Sequence, residues 1–438
     1  MKRLILFILL IPFLTQGYST EKQKTESKAK IISEFMDMKF GMFVHWGPVS
    51  LRGTEIGWSR GREVEIEDYD NLYKEFNPVL FNADEWIKTL KDAGMKYFVI
   101  TTRHHDGFSL WPSEYSDYDI AATLYKKDVL MELKEACDKY DILFGTYYSI
   151  SDWKHPHYPM GSPGGKTKKE TGNMDKFIPF IKGQTKELIE KYHTRILWFD
   201  GEWEESWTHE MGLDLYKYLT DIDPTVLINN RADKGRKGME GITISDEFAG
   251  DFATPEQRIG AYDIENPWES CITIGKQWAW KPNDKLKSFE ESIQTLIKTV
   301  GGGGNLLYNI GPMPDGRIEQ RQKEILLKMG DWLKKYGESI YETKGGPYKP
   351  TEKIASTRKS NSIYLHLFNP ESNSIKIPSP GNAGVKECSV LKGENLSFIQ
   401  NDNTLIITLP PNFKKQSVIT IEIKIDKDAS GIGDIEIK

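Results

Sequence analysis

The chain has 438 residues and a formal net charge of −6, and aromatic side chains make up 12% of it, among them 12 Trp and 20 Tyr. That length accommodates one large domain plus an accessory domain, each able to bury a core. The acidic balance excludes a nucleic-acid partner, because counterion release needs a basic surface, and three widely separated cysteines (Cys137, Cys271, Cys388) supply neither a disulfide framework nor a CxxC metal motif.

At the N-terminus, Lys2 and Arg3 precede an apolar run from Leu4 to Leu14 and a small polar exit. This is the pattern of a secretory signal peptide over residues 1–19, and the run is too short for a stable bilayer span. No cysteine follows it, so the expectation is a secreted or periplasmic protein with no membrane anchor after cleavage. A lysine-rich linker over 20–30 leads into the first domain.

From 31 to 345, apolar stretches alternate with helix-patterned segments. The candidate strands are Phe40–His45, Tyr97–Thr102, Leu143–Ser149, Ile196–Asp200, Val226–Asn230, Ile242–Ser245, Cys271–Ile274 and Asn305–Ile310. Between several of them, apolar residues recur at helical spacing, as in Asp84–Ala93, Val129–Tyr140, Phe177–Tyr192, Met211–Thr220 and Phe289–Val300. Eight strand–helix units predict an α/β fold of the (β/α)8 TIM-barrel type, with a doubly wound sheet as the alternative. The run Gly301–Gly304 follows a helix and precedes a strand, the reverse of a phosphate loop, and reads as a helix-terminating turn. A long polar helix over Ile318–Tyr341 closes the domain. From 346 to 438, short alternating strands separated by Asn-Pro and Pro-Gly turns predict a small antiparallel β-sandwich.

A barrel places its chemistry just beyond the C-terminal ends of its strands. Those positions hold His45-Trp46, His104-His105, Tyr147-Tyr148, Asp200, Asn230-Arg231 and, after the later strands, Glu256 and Trp278. Two tryptophans and three carboxylates lie within Trp198–Glu204, an arrangement suited to a pyranose, whose C–H faces pack on indole. Three histidines at strand ends can build a zinc site, but His45, His104 and His105 show neither HxH nor HExxH spacing among themselves, and no metal or cofactor is expected. Glycoside hydrolysis needs two carboxylates. Asp200, with Arg231 one strand further on, fits the nucleophile. Glu256 and Glu269 both fit the acid: Glu256 lies on a loop, and Glu269 follows Trp268, an apolar neighbour that raises a carboxyl pKa. Glu202 and Glu204 read as supports for Asp200.

Taken in order, Gly41-Met42-Phe43-Val44-His45-Trp46-Gly47, Thr102-Arg103-His104-His105-Asp106-Gly107-Phe108, Tyr147-Tyr148-Ser149, Leu197-Trp198-Phe199-Asp200-Gly201 and Pro267-Trp268-Glu269-Ser270-Cys271 resemble the α-L-fucosidases of glycoside hydrolase family twenty-nine. The resemblance implies a retaining, metal-free hydrolase built as a barrel with a C-terminal β-sandwich, acting on a fucosylated oligosaccharide or glycoconjugate. It assigns Asp200 as nucleophile and His45, Trp46, His104, His105, Tyr148, Trp198 and Arg231 to fucose binding. Trp58 joins them although Gly57 stands where the family often has Glu, and Glu55 is the candidate replacement. The Thr254-Pro255-Glu256 motif suggests the branch that prefers α-1,3/1,4-branched fucose and favours Glu256 over Glu269 as acid. A non-catalytic carbohydrate-binding barrel and a metal-dependent hydrolase remain the alternatives, and the oligomeric state stays open.

Overall fold

A computed structural model describes residues 13–162, 167–411, 413 and 416–437. Seven strands form one parallel sheet: β1 (Phe40–Val44), β2 (Tyr97–Arg103), β3 (Leu143–Ser149), β4 (Ile196–Asp200), β5 (Leu227–Ile228), β6 (Glu269–Thr273) and β7 (Asn305–Ile310). Their order, β5-β4-β3-β2-β1-β7-β6, leaves β5 and β6 as the edges. The sheet curls, so that the extended stretch 252–256 stands between those edges. Phe252 bridges Asn229 on one side, while Ala253 and Glu256 bridge Trp268 and Cys271 on the other.

The strand expected at Ile242–Ser245 is not formed. Ile242 and Ile244 are 43% and 64% exposed, and the segment carries a single bridge, Arg236 to Thr243. Its alternation belongs to a surface loop. The stretch that does fill the gap was hidden by Pro255, which has no N–H for a ladder, so pairing there breaks into isolated bridges.

Period-two alternation divides the buried side chains of the strands into two clusters. Phe43, Tyr97, Val99, Tyr147, Ile196, Trp198, Leu227, Cys271 and Leu307 pack along the inside of the curl. Met42, Val44, Phe98, Ile100, Tyr148, Leu197, Phe199, Leu306 and Ile310 face outward into the main core. That core lies under α3 (Ala83–Asp92), α4 (Val129–Tyr140), α5 (Met174–Glu190), α6 (His209–Ile222), α7 (Phe289–Gly301) and α8 (Gln320–Tyr336), which follow α1 (Phe13–Met38) and the short α2 (Ile66–Asn71). Their starts are fixed locally: Asn82, Asp128, Asn173 and Thr208 cap α3 to α6, and Ser288 with Glu291 forms a capping box on α7.

The signal-peptide expectation rests mainly on residues 1–12, outside the described residues. The expected linker over 20–30 lies within α1. Its Lys, Glu, Gln and Ala residues are good helix formers, and Lys28 is tied to Asp251 at 2.7 Å. Further along α1, Phe35 closes the lower end of the curl against Tyr97 and Phe252.

After α7, Gly303 takes a left-handed φ of +103° and Gly304 lies against the Trp268 ring, so the glycine run is a tight turn rather than an anion cradle. The C-terminal part comprises two antiparallel sheets. One has the order β12-β15-β10-β9-β8, built from β8 (Lys344–Gly345), β9 (Ile354–Lys359), β10 (Ser362–Phe368), β12 (Val385–Val390) and β15 (Val418–Ile425). The other has the order β11-β14-β13, from β11 (Ser374–Pro378), β13 (Phe398–Gln400) and β14 (Thr404–Thr408). Ile363, Leu365, Ile421, Ile377, Leu405 and Ile407 from both sheets share one apolar cluster.

Candidate active site

The strand ends of the parallel sheet surround a small pocket lined by Phe43, His45, Trp58, His104, Tyr147, Trp198, Asp200, Trp203, Arg231, Glu256 and Trp278. Asp200, the last residue of β4, sits on its wall. Arg231, in the helical turn after β5, meets Asp200 Oδ1 through Nη1 at 2.6 Å and Glu256 Oε2 through Nη2 at 2.9 Å. One buried guanidinium therefore holds two carboxylates from different parts of the chain. Its remaining Nε donates to Thr254 Oγ1 at 2.9 Å, which fixes the fork relative to the stretch that carries Glu256. Tyr147 OH donates to Asp200 Oδ2 at 3.0 Å. Burial is the largest single influence on Asp200 and opposes its ionisation, but Arg231, His105 and Arg236 together outweigh it and hold the carboxyl below its usual range.

Of the three expected imidazoles, His45 and His104 complete the polar lining and His105 lies behind them. His45 Nδ1 is 2.6 Å from Asn309 Oδ1 on β7. Adjacent histidines can converge only beyond a strand, and β2 ends at Arg103, so the His104 and His105 rings lie 4.2 Å apart. His104 stacks on Tyr147, whereas His105 sits behind it, with Nδ1 between the Ser149 and Ser151 hydroxyls at 2.6 and 2.7 Å. His105 Nε2 is otherwise unpartnered and faces Asp200 Oδ2 at 3.6 Å. Burial lowers the pKa of His45 to about 3, that of His105 to about 4, and that of His104 well below its usual value. Neutral imidazoles can both donate to and accept from hydroxyl groups.

Four expected site residues lie elsewhere. Trp46 points outward among Phe76, Phe81 and Trp86, because it is one residue out of phase with His45. Tyr148 is out of phase with Tyr147; its hydroxyl donates to Gln184 on α5 at 2.9 Å, and Arg103 covers its ring. Glu269 opens β6 and so lies at the opposite end of the curl from the pocket. There it accepts from Tyr97 OH and, at 3.0 Å, from Trp198 Nε1, and burial raises its pKa to about 7. Its buried carboxylate props the Trp198 plate from beneath. Glu55 accepts from the backbone N–H groups of Ile56, Trp278 and Ala279, and so anchors the loop that presents Trp278.

Phe43, Tyr147, Trp203 and Trp278 line the pocket beyond the residues assigned from sequence to catalysis or fucose binding. Period two was the available signal for two of them: Phe43 shares a face with His45, and Tyr147 pairs in register with Trp198. Among the described residues, no group of three or more His, Cys, Asp or Glu side chains is arranged to hold a metal ion. Asn309 and the two serines already engage one nitrogen each of His45 and His105.

Paired carboxylates beside flat aromatic faces are the working parts of a glycoside hydrolase. Comparison with known proteins narrows that class. A family profile for alpha-L-fucosidase matches residues 12–338. Human plasma alpha-L-fucosidase is 31% identical over 412 residues, covering 86% of this chain and 85% of the relative. Human tissue alpha-L-fucosidase is 30% identical over 408 residues, covering 86% and 84%. Among solved structures, alpha-L-fucosidase isoenzyme 1 from Paenibacillus thiaminolyticus superposes with a TM-score of 0.83 at 29% identity, over 92% of this chain and 100% of that one. A trapped covalent intermediate of a GH29 alpha-L-fucosidase from Bacteroides thetaiotaomicron, formed with 2-fluoro-fucosyl fluoride, superposes at 0.82 with 28% identity, over 90% and 96%. The chain belongs to the alpha-L-fucosidase family, glycoside hydrolase family 29, and is a fucose-releasing hydrolase. Among the described residues, no helix is long and apolar enough to cross a membrane.

Proposed function

We propose that the enzyme is an exo-acting, retaining alpha-L-fucosidase, with Asp200 as nucleophile and Glu256 as acid and base. The observation that carries this reading is the Arg231 fork, which bonds both carboxylates through its two terminal nitrogens. A guanidinium shared by both acids supports a close pair, and double displacement uses carboxyl groups about 5 Å apart. In the first step an Asp200 oxygen attacks the anomeric carbon, the glycosidic C–O bond breaks, and Glu256 gives its proton to the leaving oxygen. In the second, Glu256 takes a proton from water, the resulting hydroxide attacks the same carbon, and the Asp200 ester bond breaks to release fucose. Arg231 and Tyr147 stabilise the Asp200 carboxylate as it departs. His45, His104 and His105 hold the ring hydroxyls as neutral donors and acceptors. Trp198, Phe43 and Tyr147 floor the pocket, and this dead end supports an exo mode of action.

The Thr254-Pro255-Glu256 motif supports a preference for α-1,3/1,4-branched fucose on a glycan or glycoconjugate. The basic and apolar N-terminus, together with the plasma enzymes among the relatives, supports a secreted or periplasmic location.

The test is to incubate the protein with 2-fluoro-fucosyl fluoride and map the adduct by peptide mass spectrometry, then to assay Glu256→Ala and Glu269→Ala with and without azide. Label on Asp200 and azide rescue of Glu256→Ala alone are expected. Label on another carboxylate, or rescue of Glu269→Ala, overturns the assignment. Turnover that survives EDTA is expected in the same assay.

A further inference from the structure

Trp203 stands apart from the other pocket aromatics. It is 40% exposed, whereas Trp198 is 2% exposed, and its ring lies nearly parallel to Trp58, with centroids 6.3 Å apart and planes at 19°. Its edge meets the His105 ring at 5.4 Å. It therefore belongs at once to the pocket and to the surface.

The loop that carries it is held firmly from below. Glu202 and Glu204, its two neighbours, are 3% and 6% exposed. Glu202 Oε1 pairs with Arg236 Nε at 2.6 Å, and Glu204 Oε1 accepts from Trp153 Nε1 at 2.9 Å, with Tyr158 OH on its other oxygen. Lys234 Nζ donates to the backbone carbonyls of both glutamates, at 2.5 and 2.7 Å. Two buried acids, Glu204 bonded through both carboxylate oxygens and Glu202 through one, thus turn inward so that the residue between them is presented outward in one fixed place. A large apolar face held rigidly at a pocket mouth is a binding surface rather than a packing residue.

We propose that Trp203, backed by Trp58, is the platform for the sugar on the leaving-group side of the scissile bond, with Glu202 and Glu204 as its positioning residues. This rests on the catalytic reading above, in which fucose fills the inner pocket. The leaving group must then extend outward past Glu256, whose side chain keeps 19% of its surface exposed. The ligand class is a hexopyranose that can lay a C–H face on indole.

The experiment compares two substrates with the same fucosyl group: α-L-fucosyl fluoride, whose leaving group has no ring, and a Lewis-type trisaccharide. For Trp203→Ala, kcat/KM on the trisaccharide is expected to fall 10- to 100-fold, mostly through KM. The loss on the fluoride should be at least tenfold smaller. Trp203→Phe should recover most of the trisaccharide activity. Arg236→Ala, which loosens the loop without touching the ring, should reproduce part of the same KM effect. Equal losses on both substrates, or no loss on either, overturn the platform. Failure of the unaltered enzyme on both substrates instead overturns the fucosidase mechanism beneath it.

Discussion

Tyr147 gives its hydroxyl hydrogen to Asp200, and Tyr148, the next residue, gives its own to Gln184 on α5. The two hydroxyls lie on opposite faces of β3 and do different work. Removing the first takes a donor from the proposed nucleophile's carboxylate, which must leave as an anion in the second step. Tyr147→Phe is therefore expected to lower kcat by about 100- to 1,000-fold, the scale of one lost donor to a developing charge. Tyr148→Phe leaves Gln184 one donor short and should cost about 1 kcal/mol of stability, with kcat/KM within about twofold of the parent. Steady-state rates on an aryl fucoside and urea midpoints for both variants check this, and a catalytic loss confined to Tyr148→Phe would reverse the register. Residue types and their place at strand ends were legible in the sequence, which is why His45, His104, Asp200 and Arg231 could be picked out. Which of two adjacent aromatic residues faces inward depends on strand phase. The doublets His45-Trp46 and Tyr147-Tyr148 offer two candidates per site, and the helix-facing core of such a sheet takes a Trp or Tyr as readily as the pocket does.

Glu269 and Glu256 show the same limit for whole strands. Sequence placed the strand start at Cys271, leaving Glu269 as a loop residue free to serve as acid. In the structure, β6 begins at Glu269 itself, and a residue at the start of a strand lies away from the C-terminal rim where the pocket is. Glu256 was assigned to a loop, yet it lies on the stretch that spans the gap between β5 and β6, and that position sets it opposite Asp200 across Arg231. Pro255 concealed this by interrupting the ladder. The buried Glu269 has a consequence that can be measured. Its pKa is raised to about 7 by burial, against about 4.3 in an unfolded chain. The folded state therefore binds the proton more tightly than the unfolded one. The associated stability is fully present below the unfolded value and is lost as pH rises through about 7. Glu269→Gln keeps the size and an acceptor for Tyr97 but cannot ionise. Relative to the parent it should gain on the order of 2–3 kcal/mol in going from pH 5 to pH 8.5, read as the change in denaturation midpoint. A difference between the two proteins that stays constant across that range would show that Glu269 is not protonated in the fold.

Over the whole molecule, the imidazoles impose the opposite slope. His45 and His105 at the pocket, and His366 on β10, are buried and neutral, with pKa values lowered by burial to about 3, 4 and 3. His366 sits where the C-terminal sheet meets the first domain, near Trp332 of α8, and its Nδ1 is 3.0 Å from Thr420 Oγ1 on β15. The junction is a continuous one: Ala355 and Phe368 of the C-terminal strands belong to the same apolar cluster as the outward faces of the parallel sheet. Acid weakening at His366 should therefore be felt by the catalytic part as well. An unfolded histidine titrates near pH 6.5, so below that value the unfolded chain binds protons that these three sites refuse. Their stability is fully present above about pH 6.5 and is lost as pH falls toward the folded values. At pH 5 the penalty is set almost entirely by the unfolded pKa and amounts to about 2 kcal/mol per site. The three together should lower Tm by about 6 °C between pH 7.5 and pH 5, at roughly 1 °C per kcal/mol for a chain of 438 residues. His366→Gln, which lies far from the pocket, should remove its own share of that dependence, about 2 kcal/mol at pH 5, while fucose release at neutral pH continues. Scanning calorimetry of both proteins across the range checks the argument. A Tm that is flat from pH 7.5 to 5 would mean that the imidazoles take up protons within the fold, and a pocket lined by imidazolium ions would no longer offer the hydroxyl acceptors that the fucose-binding scheme requires.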